Sequence, residues 1–352
     1  MKDMQSTLHA LKFFRLPLFI LFAGIFAGFY IGGWEQGIVV AILAILEISL
    51  SFDNAVLNAG VLQRLGHFWR TMFLTVGILV AVIGMRLIFP IVIVMVTAGL
   101  SFQKVIDLAL NHPEIYAKEL TSAHPSIAAF GGMFLLMIFL DFLLNEAKRV
   151  HWVNLIEAPL AKAGQLKTLS SLIALVLLLI AAKSSGHMEE VLVAGVLGQV
   201  TYLLVTGLTR LFEHVGGLTD ESKHGTGKVV MATGKAAFML FVYLNVLDAS
   251  FSFDGVIAAF AVSTNVITIA LGLGIGAFFI RELTIWLVEH DTLKEFKYLE
   301  HGAHYAVGAL AVLMGVSLVY HVPEAVTGLI GAGLIALSLM SSVAARPKTT
   351  EP

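Results

Sequence analysis

Two short polar signatures interrupt long apolar stretches of this chain. The first reads Glu47-Ile48-Ser49-Leu50-Ser51-Phe52-Asp53-Asn54. The second, about two hundred residues later, reads Asp248-Ala249-Ser250-Phe251-Ser252-Phe253-Asp254-Gly255. Both follow one pattern: acid, any residue, Ser, apolar, Ser, Phe, Asp, then a small or polar residue. A carboxylate inside a bilayer is costly, so four of them in matched settings imply a site. Carboxylate, hydroxyl and amide oxygens are hard ligands and suit Mg²⁺, Ca²⁺ or Mn²⁺. A proton relay or a Na⁺ site uses the same groups. The chain has no cysteine, which excludes thiolate metal sites, disulfides and thiol catalysis. No histidine lies near the signatures at their expected depth, which argues against zinc or copper.

Within each signature the acids are six residues apart. Six residues of α-helix turn through about 600° and rise about 9 Å, leaving the two side chains about 120° apart. A regular helix therefore presents Glu47, Ser51, Asn54 and Asn58 on one face, and Ser49 with Asp53 on a neighbouring face. The second copy repeats this with Asp248 and Ser252, then Ser250 and Asp254, with Asn245 one turn before Asp248. Alternatively the helix unwinds around Ser-x-Ser, and freed carbonyls join the acids in one cage. Such breaks are tolerated at membrane depth only where they line a protein cavity. Both arrangements stay open at this level.

Arg86 and Arg281 each lie well inside the apolar segment that follows a signature. A buried arginine requires a counter-charge, and a signature acid of either half supplies one. Asp141 and Glu282 sit towards segment ends, where snorkelling to the interface is the ordinary explanation. Gly131-Gly132 and Gly272-Leu273-Gly274-Ile275-Gly276 read as close helix packing. The glycine-rich run follows no strand, so it is no nucleotide loop. No hydrolase triad, phosphate loop or redox motif is present, and the chain reads as a non-enzyme that binds no nucleic acid.

The elements that position these residues follow from composition. Of 352 residues, 58% are hydrophobic and 13% charged, with a mean hydropathy of +0.89. An average soluble domain has roughly a quarter of its residues charged. The expected fold is all-α, a single polytopic membrane domain over residues 1–352 whose main partners are the lipid bilayer and a transported cation. A span needs about 20 mostly apolar residues. Ten segments qualify: 15–33, 36–62, 70–98, 126–145, 168–183, 189–209, 231–262, 265–289, 302–320 and 324–343. The first is too long for a signal-peptide core and reads as a retained span.

Alternate connections gather the basic residues. Lys2, Lys12, Arg15, Arg64, Arg70, Lys148, Arg149, Lys162, Lys167, Arg210, Lys223, Lys228, Lys235, Lys294, Lys297, Arg346 and Lys348 fall on one side. Lys104, Lys118 and Lys183 fall on the other. This bias predicts both termini in the cytoplasm. The two signature helices then run in opposite directions, as an inverted repeat requires, with halves at 36–145 and 231–320 and both signatures near the midplane. The outer loop at 100–125, with Asp107, His112, Glu114, Glu119 and His124, reads as an ordinary solvated loop. The stretch 210–235 reads as a connector.

The signatures and their surroundings resemble the TerC family of integral membrane proteins, and more closely a numbered TerC-related group of unknown function. The resemblance rests on Ala44-Ile45-Leu46-Glu47-Ile48-Ser49-Leu50-Ser51-Phe52-Asp53-Asn54-Ala55, followed by Arg86. It rests also on Leu247-Asp248-Ala249-Ser250-Phe251-Ser252-Phe253-Asp254-Gly255-Val256-Ile257-Ala258-Ala259, followed by Arg281, and on the run from His301 to Leu310. It covers about residues 36–320. It implies export of Mn²⁺ or Ca²⁺ by a family named for tellurite resistance; the expected location is a bacterial cytoplasmic membrane. It implies ion-site positions at Glu47, Asp53, Asn54, Asp248 and Asp254. Gly255 departs from the family, where Ser is common, which makes the site asymmetric.

The expectation is therefore a divalent-cation transporter with no resident cofactor, in which Glu47, Asp53, Asp248 and Asp254 meet the metal. Asn54 joins them; Ser49, Ser51, Ser250, Ser252, Arg86 and Arg281 support them. Repulsion among close carboxylates makes proton coupling plausible. An acidic midplane repels an oxyanion, so tellurite itself is not the expected cargo. The competing expectation is a membrane scaffold or accessory protein in metal or tellurite stress that moves no ion.

Overall fold

In hydrocarbon the backbone must bond to itself, and a long apolar run does this most simply as a helix. The computed structural model describes residues 14–166, 168–215, 231–263, 265–290 and 295–345. Among them the chain is helical throughout, with one isolated bridge between Leu65 and Ala232 and no strand.

In chain order the helices are α1 (Arg15–Leu50), α2 (Phe52–Leu62), α3 (His67–Leu79), a π-helix (Val80–Ile88) and α4 (Phe89–Ala98). There follow α5 (Phe102–Asn111), α6 (Pro113–Ser122), α7 (His124–Leu143), α8 (Asn154–Ala163) and α9 (Leu169–Ser185). Then come α10 (Met188–Val215), α11 (Gly234–Val262), α12 (Val266–Glu289), α13 (Leu299–Ser317) and α14 (Glu324–Ala344). Seven helices among the described residues are long and apolar enough to cross a membrane. Their exposed surface carries large apolar side chains such as Phe22, Phe26, Trp34, Leu329 and Met340. An apolar surface of this extent fits hydrocarbon rather than water. This is a membrane protein.

The first of these spans is interrupted where two expected segments, 15–33 and 36–62, meet. Gly32 leaves helical geometry, and Gly33 takes φ 72° and ψ −164°, a region essentially closed to other residues. A Cβ on Gly28 would stand 3.2 Å from the Gly37 Cα and 2.9 Å from the Val40 side chain. Nine residues of straight helix would hold Gly28 and Gly37 about 13 Å apart, so the chain doubles back here. The expected span 168–183 appears as α9, apolar but only 17 residues long. The loop expected at 100–125 contains α5 and α6, which pack on each other and on α4.

The helices form two compact units. One comprises Met1–Ser51, Met72–Ala123 and Ser252–Trp286; the other comprises Phe52–Thr71, His124–Phe251 and Leu287–Pro352. The chain passes from one unit to the other inside both signatures, after Ser51 and after Phe251. In the second unit α7 packs against α10 and α13, and α13 against α14 and α2. Small residues allow this closeness: a Cβ on Gly198 of α10 would meet the Phe130 carbonyl of α7 at 2.2 Å. Within the first unit Gly272 likewise lies against Leu43. Both glycine runs are thus packing residues.

Candidate cation site

The two signatures fold differently. In the first copy α1 ends at Leu50, Ser51 leaves helical geometry with φ −102° and ψ 14°, and α2 begins at Phe52. This break puts Asp53 in the first turn of α2, where unpaired N–H groups and the helix dipole favour a carboxylate. In the second copy α11 runs unbroken through Ser250-Phe251-Ser252. The first signature is therefore interrupted at a single residue, and the second stays helical.

The acids also part company. In the first unit Glu47 is buried and forms an ion pair with Arg86, whose Nη2 donates to Glu47 Oε1. The Ser51 hydroxyl donates to the same oxygen at 3.3 Å. Arg86 lies on the π-helix, and its Nη1 donates to the Ala81 carbonyl. Single π turns often mark functional positions, and here the wide turn lets the guanidinium bond its own helix. Two glycines let the backbone approach Glu47. A Cβ on Gly276 would stand 2.4 Å from the Glu47 Cβ, and one on Gly255 would stand 3.1 Å from its Oε2. The departure at Gly255 therefore makes room for the Glu47 carboxylate. Arg281 is buried in the same unit, its guanidinium 4.3 Å above the centre of the Phe73 ring.

In the second unit one asparagine joins both acids. The Asn54 backbone N–H donates to Asp53 Oδ1 at 2.9 Å, and its side-chain Nδ2 donates to Asp248 Oδ1 at 2.6 Å. Asp53, Asn54 and Asn58 are buried; Asp248 is half-buried. Asp53 Oδ2 faces Gly331 of α14, where a Cβ would stand 3.7 Å away. Among the described residues no lysine or arginine forms an ion pair with Asp53 or Asp248.

Ser250 is buried and its hydroxyl donates to the Val246 carbonyl; Ser252 is buried with its hydroxyl unbonded. Ser49 is exposed and donates to the Ile45 carbonyl, so its hydroxyl stands apart from the acids. Asn245 donates to the Phe241 carbonyl. Asp254 lies on α11, and its side chain is outside the described residues. No three His, Asp or Glu side chains among the described residues cluster as a metal site. Any cation here would need amide or hydroxyl oxygens as well as carboxylates.

Asp141, expected to snorkel, accepts from the Tyr202 hydroxyl at 2.7 Å and pairs with Arg210 at 3.6 Å. Glu157 on α8 escaped sequence reasoning altogether. It has no exposed surface, yet it collects Lys148 at 2.8 Å, His151 and His301 at 3.6 Å and the Tyr305 hydroxyl at 3.2 Å. The backbone N–H groups of Trp152 and Val153 complete the set. The only sequence signal was an acid amid Lys148, Arg149 and His151, which reads as a solvated loop.

Fold and site together define an all-helical membrane protein in which a buried Asp53 and a half-buried Asp248, one from each copy of the signature, share one asparagine. The chain belongs to the family described as "Protein of unknown function (DUF475)", whose model matches residues 52–349. No curated protein and no solved structure matches it.

Proposed function

We propose that this protein carries a hard divalent cation across the bacterial cytoplasmic membrane, Mn²⁺ foremost and Ca²⁺ second, in the outward direction. The observation that carries this reading is the Asn54 bridge. It joins Asp53 of one signature to Asp248 of the other, and among the described residues no lysine or arginine pairs with either. Two carboxylates at membrane depth without a counter-charge call for a proton or a metal ion. Competition between the two gives a route to proton coupling. The reading includes ten spans, inverted halves at 36–145 and 231–320, kinship with TerC proteins, and both termini in the cytoplasm. The basic-residue bias supports it, and the opposed directions of the signatures are its consequence.

The test is flux in proteoliposomes holding the purified protein, comparing Mn²⁺, Ca²⁺ and Mg²⁺. The Asp53→Asn/Asp248→Asn variant is expected to lose flux by about 100-fold or more, two charge-bearing metal contacts being removed. Folded wild-type protein that moves none of these cations overturns the reading and leaves the scaffold role as the better account.

A further inference from the structure

The two signatures hand one acid each to both units, but the halves are not electrically alike. Glu47 is closed off by Arg86, with Ser51 on the same oxygen. Among the described residues, Asp53 and Asp248 have only Asn54 as a polar side-chain partner. That bond fixes how the Asn54 amide faces. A carboxylate accepts and does not donate, so Nδ2 must point at Asp248 and Oδ1 must point elsewhere. Asn54 Oδ1 is buried and has no hydrogen-bond partner. One helical turn on, Asn58 is 3% exposed, and its Oδ1 is buried and unbonded too. Residues four apart share a helix face.

A buried oxygen left without a donor is destabilising. Two on one face of α2, one of them on the amide that reaches Asp248, make a set of acceptors with too few donors. A proton satisfies one carboxylate and neither amide oxygen, whereas a metal ion satisfies all four groups.

We propose that the cation is held inside this one unit by Asp53, Asp248 and the amide oxygens of Asn54 and Asn58. Asn58 is a metal ligand, and the Glu47–Arg86 pair is not part of the binding site. This rests on the transport reading above. The charge of the set selects the cargo: two carboxylates neutralise a dication, while Na⁺ leaves one negative charge buried. Four hard oxygen groups exclude preference for a soft metal. The half-exposed Asp248 is the side from which the ion arrives.

The test is Mn²⁺ binding to the purified full-length protein by titration calorimetry, with Ca²⁺ and Na⁺ alongside. Asn58→Leu keeps the branched shape and removes the oxygen. It is expected to weaken Mn²⁺ binding on the order of 10- to 100-fold. Glu47→Gln combined with Arg86→Gln is expected to weaken it less than Asn58→Leu does. Asn58→Asp keeps the oxygen, adds charge and is expected to raise Mn²⁺ affinity, which decides the matter if Asn58→Leu does not fold. Wild-type affinity in both Asn58 variants overturns this assignment alone, as does a larger loss in the Glu47/Arg86 variant. Wild-type protein that binds none of the divalent cations overturns the transport reading with it.

Discussion

Glu157 shows how much depends on single partners. Burial pushes its carboxyl up, but the Lys148 contact, the Val153 N–H and nearby His301 outweigh that and hold it below its ordinary value of 4.5. Burial pushes His301 below its ordinary 6.5, against the Val150 carbonyl and Glu157, which pull it up. Both shifts have one sign for stability. An unfolded chain takes up protons at these groups at higher pH than the folded one, so acid favours unfolding. Stability from this cluster is full above about pH 6.5. It starts to fall there as His301 resists protonation, and falls again below pH 4.5 as Glu157 is forced neutral. Lys148, His151, Tyr305 and Glu300 share the setting, so the fall is gradual. Thermal melts in detergent from pH 8 to pH 4 check this: His301→Gln should flatten the upper step and leave the lower one. A melt indifferent to pH in the wild type would mean that these groups take up protons equally in the folded and unfolded chain, and would overturn this account.

At the scale of elements, the informative features are interruptions. The first signature breaks at Ser51 and the second does not, although both carry Ser-Phe-Asp. Asn54 and Gly255 mark the difference. Asn54 reaches across to Asp248 and so fixes the start of α2; Gly255 has no side chain to reach with, and its place is taken by Glu47. The reversal at Gly32-Gly33 depends on backbone freedom at Gly33. Gly33→Ala should cost about 1–3 kcal/mol, because φ 72° with ψ −164° is closed to residues bearing a Cβ. A drop in melting temperature checks it, with Gly33→Asn dropping as well. No change on Gly33→Ala would mean that the reversal forms elsewhere.

At the scale of the molecule, the proposed orientation rests on charge bias and is testable one site at a time. The chain has no cysteine, so single cysteines can be added without background. With both termini in the cytoplasm, cysteines at Gln165 and Gln63 should be shielded from an impermeant maleimide in intact cells. One at Asn111 should react. The opposite pattern would invert the direction of transport proposed above, and a mixed pattern would refute the alternating spans.

The sequence by itself determined that this is a helical membrane protein, because low charge and long apolar runs leave the backbone no other partner than itself. It also singled out Glu47, Asp53, Asn54, Asp248, Asp254, Arg86 and Arg281, since charged and polar groups in apolar runs are rare enough to be seen without coordinates. Periodicity could say which residues share a helix face, but not which helix that face meets. Only the tertiary structure decided that Arg86 closes on Glu47, that Asn54 joins Asp53 to Asp248, and that two asparagine oxygens are left without donors. Those choices depend on contacts between residues up to about two hundred positions apart, set by how closely glycines let the helices approach. Glu157 was invisible for the same reason: its partners Lys148, His301 and Tyr305 meet it only when α8 and α13 are in place.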